Sequence, residues 1–333
     1  MYYPDCLEFE NNIEEICYNQ NHIDKVWEKI KSTIPVYFKK YVETENGNIV
    51  EDAEVEKLMA KFGSSAKPKS KNKDEKKILE RLLKEAIKSY EKDREAYLEI
   101  LDREAFDEYQ DDVNSFKNTI LKNQIPVIRR TLQNKKAKEL DKFRASFNSA
   151  QAGDLFTVTS NILQLADDWR NDWYDGKEFE KIQTSDDLGY FDFDGEEYTA
   201  YGVIGGGIKS QFIYKLYPEM FPSRSREAVW ALYYLSDREK FGCKQDSQFL
   251  MIDAKEGTTQ QNYFYPYGIF SFYALRIFNL LKQLYAEHGI SLPNEYRFVP
   301  VDDFLSFVSR SHQSEIDVLK QKAESKKNYH YDY

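Results

Sequence analysis

Cysteine is nearly absent from this chain. Three residues in 333, Cys6, Cys17 and Cys243, stand at spacings that fit neither a disulfide framework nor a zinc site. A disulfide-stapled secreted fold is therefore excluded, and a reducing compartment, the cytoplasm by default, is expected. Histidine is as scarce: His22, His288, His312 and His330 are the four, and none lies at metal-ligand spacing from another His or Cys. No apolar run approaches the roughly 20 residues of a membrane helix, and the acidic opening MYYPDCLEFENN is unlike a signal peptide. Neither membrane insertion nor secretion is expected. A G-x-S-x-G elbow and a dinucleotide fingerprint are missing, and Gly205-Gly206-Gly207 lacks the upstream glycine of a Walker loop although Lys209-Ser210 follows it. An ATPase of that type is ruled out.

What the chain does have is core-forming material. Apolar residues make up 41% and aromatics 15%, with 25 Tyr and 22 Phe, enough to fill a folded interior. The length suits two units, 1–150 and 151–333, with the boundary at Gln151-Ala152-Gly153, where charge density falls and aromatics and glycines rise. The expected class is mainly α with a minor β component: a long N-terminal helical hairpin or coiled-coil arm, then a helix-rich domain with a few short strands. Val26, Ile30 and Ile34 mark an amphipathic stretch over Ile23 to Tyr41 that Pro35 interrupts. Gly63 to Lys77 (GSSAKPKSKNKDEKK) reads as a solvated loop. From Asp74 a stripe of Leu83, Ile87, Tyr90, Tyr97 and Leu101 keeps helical spacing if Arg94 belongs to it. A second stripe runs through Val113, Phe116, Ile120, Ile125, Ile128, Leu132, Leu140, Phe143 and Phe147, with Pro126 as a break. Two such stripes predict an antiparallel pair, or a seam for a second copy or a partner protein.

In the second half, LGYFDFDGEEYTAYG alternates around Asp194-Gly195, the dipeptide of a tight hairpin. Phe249 to Ile252 reads as a short strand, Ile269 to His288 as an apolar helix stopped by Gly289, and Val301 to Lys322 as a last helix before a polar, frayed tail.

A net charge of −10 and a pI near 5.2 argue against a protein that coats nucleic acid with its whole surface. The charge is uneven, however. Between Lys117 and Arg144 nine basic residues face only Glu139 and Asp141, a local balance of +7, while acidity collects from Asp154 to Glu197. A helix presenting Lys122, Arg129, Arg130, Lys136 and Lys138 has the spacing to follow a phosphate backbone.

The second candidate contact is Val203 to Leu216, VIGGGIKSQFIYKL. Glycines allow a sharp turn and let backbone N–H groups approach an anion where a helix begins. Gly205, Gly207, Lys209 and Ser210, followed by the apolar face Phe212, Ile213 and Leu216, resemble the helix-hairpin-helix segment of the DNA glycosylase superfamily over about a tenth of the chain. The resemblance implies phosphate contact that grips DNA without reading its sequence. In the base-excising members an Asp lies downstream; this chain has FPSRSREAV there, with Ser223 or a neighbour in its place, and Gly206 fills a normally apolar position. DNA binding is thus implied more than base excision, with Arg224 and Arg226 as further phosphate candidates at the next helix start.

Two other clusters carry chemistry. Phe249 to Lys255 resembles the strand and D-x-K half of restriction-like nucleases, in which Asp253, a partner carboxylate at Asp237 or Asp246, and Lys255 would serve Mg²⁺-dependent cleavage. In Asp167 to Asp175, Asp168 and Asp172 share a helical face, suited to a divalent cation or to a plain acidic surface with Trp169 and Trp173 turned inward. Three readings stay open. The leading one is a DNA-binding accessory protein without a cofactor, in a bacterial genome-defence (antiviral) or mobile-element setting to which the abundance of Lys, Asn, Ile and Tyr is suited. The others are a Mg²⁺-dependent nuclease and a self-assembling helical scaffold that binds no nucleic acid.

Overall fold

The computed structural model describes residues 18–44, 71–174, 178–242, 247–255, 257–258 and 265–329. Its principal elements are α1 (Gln20–Glu43), α2 (Lys71–Leu101), α3 (Pro126–Gln133), α4 (Asp141–Ser149), α5 (Ala152–Trp169), α6 (Gly206–Leu216), α7 (Arg226–Leu235), α8 (Tyr267–Glu287), α9 (Val299–Arg310) and α10 (Gln313–Tyr329). Single-turn, 3-10 and π segments join them. The class is mainly α, as the periodicities predict. No helix among the described residues is long and apolar enough to cross a membrane.

The expected short strands are not found; β pairing among the described residues is limited to isolated bridges, Ala200 with Ile204 and Asp253 with Thr258. Asp194-Gly195 fails as a hairpin for a physical reason. A two-residue turn of that kind needs left-handed backbone, but Gly195 has φ −61° and ends one 3-10 turn as the next begins. The Asp194 side chain is committed elsewhere: its carboxylate accepts from the Tyr267 and Gly268 amides at the start of α8, at 2.9 and 3.3 Å. Phe249 to Ile252 is fully buried but irregular, with no neighbouring strand to pair with among the described residues.

In α1, Asn19 caps the first turn by accepting from the Asn21 and His22 amides. Ile23, Val26, Ile30, Ile34, Phe38 and Tyr41 then form one buried stripe straight through Pro35. The break expected there does not occur: Pro35 and Lys31, whose carbonyl loses its partner, both lie on the exposed face, so no polar group is buried by the missing bond. Helix α2 begins at Lys71, so the last part of the anticipated loop is helical; Lys and Glu are good helix formers and override its loop-like composition. Residues 63–70 of that loop lie outside the described residues.

Helix α2 does not project as an arm. Leu79, Leu82, Tyr90, Tyr97 and Ile100 are buried against α6, α9, α1 and α3, and one apolar cluster runs from Ile23 to Ala323. The seam read as an antiparallel hairpin or coiled coil is therefore closed by the second half of the same chain. The second stripe is cut into pieces: a π turn over Phe116–Leu121, then α3 with Pro126 in its first turn, then α4. The final helix is likewise divided, at Ser311 and His312, into α9 and α10, and helical structure continues to Tyr329 where a frayed tail was expected. Helix α8 keeps its predicted stop, with Gly289 left-handed at φ +70°.

Helix α6 occupies the centre, flanked by α2, α5 and α3. Eight of its eleven residues are buried, which fits its nearly uniform hydrophobicity. Burying Phe212 or Ile213 contributes about 2 kcal/mol each. The charged Arg94 in the α2 stripe is explained at the C-terminal end of α6. Its guanidinium donates to the Lys215 and Leu216 carbonyls at 2.9 and 3.0 Å, and Tyr90 donates to the Tyr214 carbonyl at 2.9 Å. These bonds satisfy carbonyls a helix leaves open and place a cation at its negative end.

Candidate functional site

The N-terminal end of α6 is arranged in the opposite way. Gly205 is its N-cap and, having no side chain, supplies no capping bond; the first turn holds no acidic residue. Its amides lie beside two adjoining hollows. One is a recess of about 60 Å³ lined by Asp194, Gly205, Gly206, Lys209, Arg224 and Tyr265. The other is a cavity of about 580 Å³ whose wall includes Gly205, Gly207, Gln211, Arg226, Arg130, Lys142, Phe143 and Tyr201. Thr199, Tyr201 and Gly205 border both.

Two close approaches at glycines build this place. Gly202 has φ +77°, and a Cβ there would lie 2.6 Å from Ser146 Oγ. The turn before α6 is thus pressed directly on α4, in the basic segment. Gly206 would carry its Cβ 2.1 Å from a nitrogen of the Arg224 guanidinium. The glycine at the normally apolar middle position of the turn leaves room for that cation.

The SRSR segment is held by side chains. Ser210 Oγ donates to the Gly207 carbonyl at 3.1 Å and accepts from the Arg224 amide at 3.0 Å. Ser223 bonds Gln211 at 3.0 Å, and Ser225 caps α7 by accepting from the Ala228 amide. Hence Ser225, Arg226 and Glu227, the start of α7, line the same cavity as the start of α6. Both helix starts face the cavity, but α7 is capped by Ser225 and carries Glu227 in its first turn, so α6 offers the open positive end.

Lys209 does not reach this cavity. It is 3% exposed, and its ammonium donates to the Phe193 carbonyl. Burial lowers its pKa to about 8, opposed by the attraction of Asp194 and reinforced by the repulsion of Arg224. Burial also raises the Asp194 carboxyl, against the pull of the Tyr267 amide and of Lys209. The expected role of Lys209 as a direct phosphate contact is corrected: a buried ammonium bonded to a carbonyl holds the turn from beneath. Arg224, also 3% exposed, belongs to this inner layer and borders only the small recess.

The basic segment divides similarly. Lys117 is buried and donates to the Asn148 and Ala150 carbonyls at the end of α4, so it is structural. Arg144 bonds the Asn134 and Ala137 carbonyls. Arg129 donates to the Asn123 carbonyl at 3.4 Å and does not line the cavity. Arg130 lines the cavity but is also paired with Asp93, which in turn pairs with Lys215 at 3.1 Å. Lys122, Lys135, Lys136, Lys138 and Lys142 are exposed, and Lys142 is the one of these five that lines the cavity. Lys136 stands in the turn between α3 and α4.

The nuclease candidates are not brought together into a metal site. Asp237, with φ +55°, is exposed and pairs with Lys29 at 2.9 Å. Asp253 is buried and accepts from the Lys255 amide at 2.8 Å, closing its own turn, while Lys255 faces solvent. Asp246 lies outside the described residues. Among the described residues no group of three or more His, Cys, Asp or Glu is placed to hold a metal. Asp168 accepts from Gln164 at 2.6 Å and Asp172 is exposed; Trp169 is buried as expected.

Asp194, Tyr201 and Gly202 were not singled out from the sequence. Asp194 was absorbed into the false hairpin, and only the tertiary contact with α4 gives the Tyr201-Gly202 turn its place. No protein-family model, curated protein or solved structure matches this chain. The helix-hairpin-helix resemblance therefore stands on its residues alone: a helix, α6, follows the turn, but the chain from 191 to 204 forms 3-10 turns and a bridge where that motif has its first helix.

Proposed function

We propose that this chain is a nucleic-acid-binding accessory protein, with DNA as the first candidate, that holds backbone phosphate at the cavity between α6, α7 and α4. One observation carries the proposal. The glycine turn and the basic segment, about sixty residues apart in sequence, line a single cavity. Amides at an uncapped helix start, Arg226 and Lys142 supply the hydrogen-bond donors and positive charge that a phosphodiester requires. An overall charge of −10 argues against binding over the whole surface and is compatible with a local site.

The test is a gel shift with single- and double-stranded DNA over a range of salt, for the parent and for Lys142→Glu and Arg226→Gln. Lys142 is exposed, so its reversal leaves the core intact. Each variant is expected to weaken binding about tenfold at low salt and to reduce the salt slope by about one. Unchanged affinity in both variants would overturn the proposal. The nuclease reading makes a separate demand, Mg²⁺-dependent cleavage abolished by Asp253→Ala.

A further inference from the structure

The cavity is larger than a phosphate contact needs. A duplex carries its phosphates outside and its bases paired and stacked within, so an open cationic face suffices to grip it. Here the helix starts and cations border a half-open cavity of about 580 Å³ whose lining also includes Tyr97, Phe143 and Tyr201. That falls within the roughly 300–1,000 Å³ of pockets that surround a small organic ligand. Tyr201 is 60% exposed, and the glycine turn pinned on Ser146 fixes its backbone at the cavity's edge. Its hydroxyl donates to Glu196 at 3.3 Å. Aromatic faces beside cations suit a flat base with a phosphate attached.

We infer that the cavity takes one unpaired nucleotide of a single strand, its base against Tyr201 and Phe143 and its phosphate at the start of α6 beside Arg226. The inference rests on the nucleic-acid reading and narrows it: a paired base has no free face to offer, so single strands are preferred over duplex.

The experiment is fluorescence anisotropy with a labelled single strand of about 12 nucleotides and with the same sequence as duplex, using the full chain, Tyr201→Ala and Tyr201→Phe. The parent is expected to bind the single strand about tenfold more tightly or better. Tyr201→Ala is expected to lose about 5- to 100-fold of single-strand affinity with little change for duplex, and Tyr201→Phe to retain it. If Tyr201→Ala weakens neither form, or both equally, while Lys142→Glu still weakens both, the unpaired-nucleotide inference falls and the nucleic-acid reading survives. Absence of binding to either form overturns both. A nucleoside monophosphate that binds as tightly as the strand would identify a free nucleotide as the ligand and overturn the strand assignment.

Discussion

Replacing Lys209 by methionine is expected to abolish a pH dependence of folding stability that the parent protein carries. The folded ammonium loses its proton near pH 8, because burial disfavours the charge, whereas an unfolded lysine keeps it to about pH 10.4. Between these values the unfolded chain binds more protons than the native one, so this group makes stability rise with pH. Below about pH 8 the full penalty of burying the charge is present, on the order of 3 kcal/mol. From about pH 7.5 to about pH 9.5 it shrinks by about 2 kcal/mol. Lys209 is 3% exposed, so solvent screening does not reduce this much.

Urea unfolding at several pH values in that range, for the parent and Lys209→Met, measures the effect. Other groups also titrate: the phenols of Tyr190, Tyr214 and Tyr267 are raised by burial and lower stability as pH climbs past about 10. They are common to both proteins and cancel in the difference. The parent is expected to gain about 2 kcal/mol on the variant across the interval. Parallel profiles would refute the placement of Lys209 as a buried cation, and with it the division into an inner structural layer and an outer binding layer.

Two further substitutions test the scaffold. Gly202→Ala forces a left-handed residue to carry a Cβ 2.6 Å from Ser146 Oγ, and a loss of about 2 kcal/mol or more is expected in thermal unfolding; measured against the Ser146→Gly single variant, which carries the cost of a glycine inside α4, Gly202→Ala should then cost only the backbone strain of about 1 kcal/mol. Arg94→Met removes two donors from the C-terminal carbonyls of α6 while keeping most of the apolar stem, and is expected to cost about 2–3 kcal/mol in urea unfolding with no change in nucleic-acid affinity for the folded fraction.

Much of the local structure was legible in sequence. The stripes of α1 and α2, the glycine stop after α8 and the apolar face Phe212, Ile213 and Leu216 of α6 follow from periodicity and turn chemistry alone. So does the existence of a basic segment and a glycine turn. Partner choice was not legible. Leu83 to Leu101 reads as a seam, but a stripe carries no record of what covers it, and here α6, α9, α1 and α3 do. Asp194-Gly195 has hairpin chemistry, yet the open amides of α8 claim the carboxylate, a long-range bond that local propensity does not register.

The sequence by itself determined which residues bear charge, which are apolar, and where the backbone is free to turn, because those are properties of side chains and their near neighbours. Tertiary structure alone decided that Lys209 is buried while Lys142 lines the cavity, that Arg224 fills the space above Gly206, and that α4 meets the turn at Gly202. Burial and juxtaposition depend on packing between residues far apart in the chain, and the same lysine becomes a prop or a contact according to what closes over it.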